Sequence, residues 1–390
     1  MSADAFRGNW NFPTAIRFGA GRISELAQAC KSAGMNRPLL VTDPGLAKLP
    51  MVSQVLAANK AAGVPTAVFS DIKPNPVGKN VEDGLAAYRA GKHDGVIAFG
   101  GGSALDAAKV IAFMSGQTSS VWDYEDRGDN WMAANPKGIA PVIAVPTTAG
   151  TGSEVGRAGV IVDESTHTKK IIFHPKMMPV TVISDPELTV GLPPHITAAT
   201  GMDALAHCLE AYCAPGFHPM AEGIAVEGMR LVKNWLPVAV ADGKNLQARA
   251  GMLVAASMGA TAFQKGLGAI HALSHPVGAI YDTHHGLTNA VVMPYVLAFN
   301  RSAIEERLTR LAAWLGMPKP GFDAVAKWVL DLRKQIGIPH TLADLGVKKD
   351  RLDELSKMAA EDPTAGGNPV PVGAAELKTM FIAAIDGKLA

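Results

Sequence analysis

Up to about residue 190 the chain alternates short apolar runs, rich in Val, Ile and Leu, with segments of helical periodicity. That alternation restricts its first half to a mostly parallel sheet covered by helices. Apolar runs at 38–42, 67–69 and 95–99 are each followed by a helical segment, at 51–62, 81–90 and 104–114. Beyond Pro193-Pro194, a pair that can open a helix but not continue a strand, the rhythm changes. Helices are predicted at 196–212, 221–235, 247–263, 302–315, 321–336 and 347–360. The sequence thus predicts an α/β domain over 1–190 and an all-helical domain over 191–390. A chain of this build places ligands outside the carboxyl ends of its strands and in the cleft facing its helical half.

Two glycine-rich loops fall where such a ligand would lie. The strand at 95–99 runs into Gly100-Gly101-Gly102-Ser103 and then a helix carrying Asp106 and Lys109. Without side chains at the glycines a phosphate can approach the backbone amides, and the helix N-terminus adds favourable partial charge. Three consecutive glycines exceed what a tight turn requires, which favours a pyrophosphate cradle. A second loop, residues 145–154, concentrates Thr147, Thr148, Thr151 and Ser153 with two glycines. It could donate to a ribose, a phosphate or a nicotinamide amide, or it could be a polar hairpin or helix cap. Phe18-Gly19-Ala20-Gly21 imitates a dinucleotide fingerprint but has Ser24 where a third glycine is required. Asp43 ends an apolar strand, a usual position for a carboxylate that binds ribose hydroxyls and repels a 2′-phosphate, though equally a common turn residue.

The second half carries a cluster of metal-ligand type. Asp203 and His207 are spaced i, i+4 on a predicted helix, so both side chains share one face. Of eleven histidines, four fall within fifteen positions, at His271, His275, His284 and His285, in surroundings too apolar for a solvated segment. Buried imidazoles need partners, and neutral imidazole is the commonest metal ligand. Asp203, His207, His271 and one of His284 and His285 form the candidate ligand set. One carboxylate and three imidazoles already complete a tetrahedron, so a metal that accepts five or six ligands, such as Fe(II), suits an open site. Zinc stays open because catalytic zinc can expand to five.

The composition narrows the classes further. With 36 Lys and Arg against 35 Asp and Glu, the net charge is +1, and no run of five or six like charges occurs. Neither nucleic acid nor a membrane surface is an expected partner. Residues 266–281 fall short of the roughly 18–20 apolar residues of a spanning helix. The first ten residues lack the apolar stretch of a signal peptide. Cys30, Cys208 and Cys213 are too few for a disulfide framework, so a cytoplasmic setting is expected. Neither Ser103 nor Ser153 fits a nucleophile elbow, which disfavours a serine hydrolase.

Taken together, these motifs resemble the iron-containing, or group III, alcohol dehydrogenase family. The matching elements are residues 18–21, Pro74-Asn75-Pro76, the 100–103 turn with Asp106 and Lys109, residues 146–154, residues 201–207, and the span from His271 to His285-Gly286. They occur in family order over about residues 12–300. The resemblance implies a dehydroquinate synthase-like fold, with an α/β N-terminal dinucleotide-binding domain and an all-α C-terminal domain, the metal lying in the cleft between them. It implies Asp203, His207, His271 and His285 as iron ligands, the last because it directly precedes glycine. It further implies Gly101 and Gly102 at the pyrophosphate, Thr147 and Thr148 along the cofactor, and Asn75 and Lys169 at its ribose or phosphates. Asp43 falls where NAD-preferring members often carry Asp. His275 resembles a non-ligand histidine near the nicotinamide that could relay a proton. His284, where many members have proline, competes with His285.

The activity so implied is reversible hydride transfer between a primary alcohol or diol and NAD, with Fe(II) polarising the substrate oxygen. A homodimer or larger assembly is implied by the resemblance alone. Two other reactions stay in view: a zinc-dependent polyol oxidoreductase of the glycerol dehydrogenase type, and a dehydroquinate synthase-type lyase. The lyase would require a phosphorylated sugar acid, and no matching Lys and Arg cluster is evident.

Overall fold

The computed structural model describes residues 14–389. These form two compact units, one ending at Gly191 and one beginning at Leu192.

In the first unit six short strands are β1 (Ala15–Phe18), β2 (Leu39–Val41), β3 (Ala67–Phe69), β4 (Val96–Gly100), β5 (Val142–Pro146) and, last in the chain, β8 (Thr181–Ser184). They pair in the order β1-β8-β5-β4-β2-β3, all parallel. The crossovers use helices α1 (Leu26–Ser32), α2 (Pro50–Ala61), α3 (Gly78–Ala90) and α4 (Gly102–Met114). Strands β4 and β5 are buried along their whole length, which is why their sequences are continuous apolar runs without alternation. Phe99, Ile97, Ile143, Val145 and Ile183 pack with Leu26, Leu40 and Val52 in one core. The chain passes from β2 outward to β3, then back to β4 on the other side of β2. This reversal is a topological switch point, and the crevice at the carboxyl ends of β2 and β4 is where open α/β sheets bind ligands.

One part of the alternation departs from expectation. Between β5 and β8 the chain folds an antiparallel hairpin, β6 (Ala158–Asp163) with β7 (Thr168–Phe173), rather than a crossover helix. Buried and half-buried residues alternate along β6, the pattern of a strand with one covered face.

The described part of the second unit is helical: α5 (Pro194–Cys213), α6 (Pro219–Ala241), α7 (Leu246–Ala262), α8 (Ala269–Tyr281), α9 (His285–Trp314), α10 (Phe322–Gln335), α11 (Leu352–Glu361) and α12 (Ala374–Asp386). The helix predicted at 302–315 begins seventeen residues earlier, at His285, and carries Pro294 inside it. Proline removes one helical hydrogen bond. Here residues 288–297 are buried without interruption, and that packing sustains the helix across it. Among the described residues no helix is long and apolar enough to cross a membrane.

Candidate active site

Helix α5 is buried from Thr197 to Cys213, so its polar side chains face other helices rather than water. Close approach is permitted by missing side chains. A Cβ on Gly259 would lie 2.9 Å from the His207 Cβ, and one on Gly286 would lie 2.4 Å from the Ala199 carbonyl oxygen. Gly286 therefore lets the start of α9, with His285, close onto the Asp203 turn of α5. Helix α8 delivers His271 to the same place.

The result is a four-residue cluster. Asp203 Oδ1 lies 4.0 Å from His207 Nε2, 4.0 Å from His271 Nε2 and 3.5 Å from His285 Nε2. One potential ligand atom from each residue lies within 4.8 Å of the others. The His207 and His271 rings stack at 4.7 Å. These spacings exceed hydrogen bonds. Four atoms held about 2.1 Å from a common centre in a tetrahedron lie about 3.4 Å apart, so the cluster has nearly the dimensions of a divalent cation's ligand shell. Asp203, His207 and His271 are buried, whereas the His285 side chain is 23% exposed and marks the open side. His284 does not join: it is exposed, and its Nδ1 accepts the Leu287 N–H as the cap of α9.

Three further side chains complete the surroundings. Glu210, on the same face of α5 as Asp203 and His207, accepts from His271 Nδ1 at 2.5 Å and from the Ile270 N–H at 2.7 Å. Burial by itself would lower the His271 pKa, but the Glu210 carboxylate beside the ring holds it above the ordinary value. Asn289, one turn after His285, donates to Asp203 Oδ1 at 2.8 Å, and its Oδ1 is buried with no hydrogen-bond partner among the described residues. Asp362, just beyond α11, meets His275 Nδ1 at 2.7 Å. Burial would raise the Asp362 pKa, yet His275 and two hydrogen bonds from Thr364 keep it below the ordinary carboxylate value. The His275 ring also stacks on His285, with centroids 5.3 Å apart. The i, i+3 spacing from His207 offered a signal for Glu210. Asp362 lies 87 residues from His275 and had none.

In the first unit the cofactor candidates gather at the switch point. Gly100 adopts φ +150°, a conformation that favours glycine. A Cβ on Gly101 would meet Thr148 at 3.2 Å, and one on Gly102 would meet Thr151 at 2.4 Å, so the glycine turn and the threonine loop nest against each other. The Thr147 N–H donates to the Gly100 carbonyl at 2.9 Å. The Ser103 hydroxyl donates to the Pro74 carbonyl, tying the turn to the Asn75 segment. Asp43 Oδ1 accepts the Gly45 and Leu46 N–H groups, both at 2.9 Å, so this carboxylate shapes its own turn at the end of β2. Lys169 lies on β7 opposite Val162, whose N–H bonds the Pro76 carbonyl, so the Lys169 and Asn75 segments adjoin.

Lys109 holds this loop system together from beneath. Its side chain is buried, and its Nζ donates to the carbonyls of Ser153, Gly156 and Ala158 while lying 3.4 Å from Asp106. Asp106 in turn accepts from the Ser153 hydroxyl and the Val160 N–H. Burial lowers the Lys109 pKa, partly offset by Asp106.

Comparison with known proteins follows the same division. The model of the family described as iron-containing alcohol dehydrogenase matches residues 13–186, and that of the C-terminal part of the Fe-containing alcohol dehydrogenase family matches residues 197–385. The 4-hydroxybutyrate dehydrogenase of Cupriavidus necator is 39% identical over 378 residues, covering 94% of this chain and 97% of that one. A crystal structure of 1,3-propanediol oxidoreductase superposes with a TM-score of 0.92 at 35% identity, covering 97% and 99% of the two chains. Sulfoacetaldehyde reductase from Bifidobacterium kashiwanohense, solved in complex with NAD+, superposes with a TM-score of 0.87 at 32% identity, covering 96% and 98%.

Proposed function

The chain belongs to the iron-containing alcohol dehydrogenase family and is an alcohol dehydrogenase-type oxidoreductase acting on alcohols or diols; from that premise we propose that it transfers hydride reversibly between a primary alcohol or diol and NAD, with Fe(II) at Asp203, His207, His271 and His285. The observation that carries this reading is the convergence of one carboxylate oxygen and three imidazole nitrogens within 4.8 Å in a largely buried pocket. When bound, the cation supplies Lewis acidity that eases loss of the alcohol proton, and NAD accepts the hydride.

The protein's own groups do the rest. The imidazole nitrogens of His207, His271 and His285 and the Asp203 carboxylate hold the cation in place. The Phe263 ring, 5.1 Å from that of His207, limits water at this side of the cluster. His275 is the candidate proton relay, its Nδ1 fixed by Asp362 and its Nε2 left to exchange a proton with substrate or solvent. In the first unit the amides of Gly101, Gly102 and Ser103 at the start of α4 receive the pyrophosphate. Thr147 and Thr148 line the cofactor, Asn75 and Lys169 contact its ribose or phosphates, and Asp43 disfavours a 2′-phosphate. Four protein ligands favour a metal of higher coordination number, hence iron over zinc.

The test is NADH absorbance on anaerobically purified protein supplied with Fe(II) or Zn(II), using short alcohols, diols and aldehydes with NAD(H) and NADP(H), together with metal analysis. Fe(II)-dependent turnover with NAD is expected, and D203A and H271A should lose metal and activity together. An active, metal-free variant would overturn the ligand set. Tight NAD binding without turnover under any metal would point instead to the lyase or to a substrate outside this panel.

A further inference from the structure

We infer that Glu210 is the positioning residue of the metal site: one buried carboxylate fixes both the ring orientation of His271 and the helix start that carries it. The inference rests on the metal reading proposed above.

The two oxygens of Glu210 have separate tasks. Oε2 accepts from His271 Nδ1 at 2.5 Å, and Oε1 accepts the N–H of Ile270, the preceding residue, at 2.7 Å. A carboxylate has no proton to give, so His271 must carry its proton on Nδ1, which leaves the Nε2 lone pair on the cluster side, where it accepts from Asn289 Nδ2 at 3.2 Å and lies 4.0 Å from Asp203 Oδ1. Of the two imidazole tautomers this is the one that can ligate a cation through Nε2.

The backbone contact fixes where that nitrogen lies. The first N–H groups of α8 have no partner within the helix. Ile270 N–H finds Glu210, and Ala269 N–H finds Asn368 Oδ1 at 3.2 Å. Asn368 is itself held by two hydrogen bonds with Asn300, at 2.9 and 2.8 Å. All three polar side chains are buried. Gly268 makes room for them: a Cβ there would lie 3.0 Å from Asn368 Oδ1 and 3.1 Å from Glu210 Oε1. Helix α8 therefore begins in a polar socket, and Glu210 couples that socket to the ligand ring.

The variant E210Q separates this role from simple packing, because it keeps the shape and replaces one acceptor by a donor. If the amide oxygen stays on Ile270 N–H, the new NH2 faces Nδ1–H, donor against donor. The conflict is relieved when His271 moves its proton to Nε2, and that nitrogen then has no lone pair for a cation until it loses the proton. The socket survives while the ligand is disabled.

The experiment titrates metal-free wild type, E210Q and D203A with Zn(II) and with Co(II), following binding by calorimetry and the Co(II) ligand-field absorption. The melting temperature of each metal-free form is measured alongside. E210Q is expected to bind both cations about 10- to 100-fold more weakly, with an altered Co(II) spectrum and a metal-free melting temperature within a few degrees of wild type. E210D, which retains two acceptors, should recover part of the affinity. Wild-type affinity and spectrum in E210Q would overturn the inference, as would a melting temperature lowered with affinity unchanged. If wild type takes up neither cation, the metal reading itself fails and this inference falls with it.

Discussion

Gly102→Ala tests the nesting of the two loops proposed to hold the cofactor. The added Cβ would sit 2.4 Å from Thr151 Cγ2, 2.8 Å from Thr151 Oγ1 and 3.1 Å from Thr151 Cβ. Ordinary carbon contacts lie at about 3.5–4.0 Å, so Thr151 must retreat by about 1 Å. Rotation of its side chain gives no escape, because both branches and the Cβ face the new methyl group. Rotation would also break the bond from the Ser153 N–H to Thr151 Oγ1. Overpacking of this kind costs about 1–3 kcal/mol, against a gain of up to about 1 kcal/mol from replacing glycine in a helix. The free protein can relieve the clash by letting the 147–153 loop move, whereas the dinucleotide complex requires it in place. The clash therefore appears in affinity: 1–3 kcal/mol is about 5- to 150-fold. NAD titration followed by calorimetry should show that loss for G102A, and G102A/T151A should recover most of it in a double-mutant cycle. If the double variant binds NAD as weakly as G102A, the methyl group acts on the cofactor directly and the nesting argument is refuted.

Other perturbations have equally definite outcomes. K109M leaves the partly exposed Asp106 without its cation and takes the Lys109 donor from the carbonyls of Ser153, Gly156 and Ala158, so it should lower stability by about 1–3 kcal/mol in chemical denaturation. H285A should lower Fe(II) affinity at least tenfold, while H284A, which removes the α9 cap, should keep the metal and lose about 1 kcal/mol of stability. D362N should reduce kcat about 10- to 100-fold with little change in the KM for NAD, because it releases the His275 ring. The Asp362 pKa is held below its ordinary value of 3.8 in the folded chain, so its contribution to stability is present above that value and lost as pH falls through the lower one. Acid titration of the folded fraction should accordingly show a smaller loss below about pH 4 in D362N than in wild type.

Much of this molecule was legible in one dimension because its signals are local. Buried parallel strands must be continuously apolar, so β2, β4 and their helices could be read directly. The i, i+4 spacing of Asp203 and His207 is a property of a single helix, as is the glycine turn opening α4. The hairpin of β6 and β7 was not legible, since a strand of a small two-stranded ribbon and a short connecting segment have similar local patterns. Pro294 likewise reads as an interruption until the burial of its neighbours in α9 is known.

What only tertiary structure decided is which distant groups face one another. The sequence by itself determined the α/β and helical halves, the glycine turn opening α4 and the residue types of the candidate metal cluster. His284 and His285 are adjacent, and only the packing of α9 on α5 through Gly286 turns one into the cluster and leaves the other as a cap. Asp362 reaches His275 across 87 residues and Asn368 reaches Ala269 across 99, contacts to which no periodicity points. Side-chain chemistry is fixed by the sequence, but the distance between two groups far apart in the chain is fixed by how buried helices close-pack, and that closure depends on small residues such as Gly259, Gly268 and Gly286.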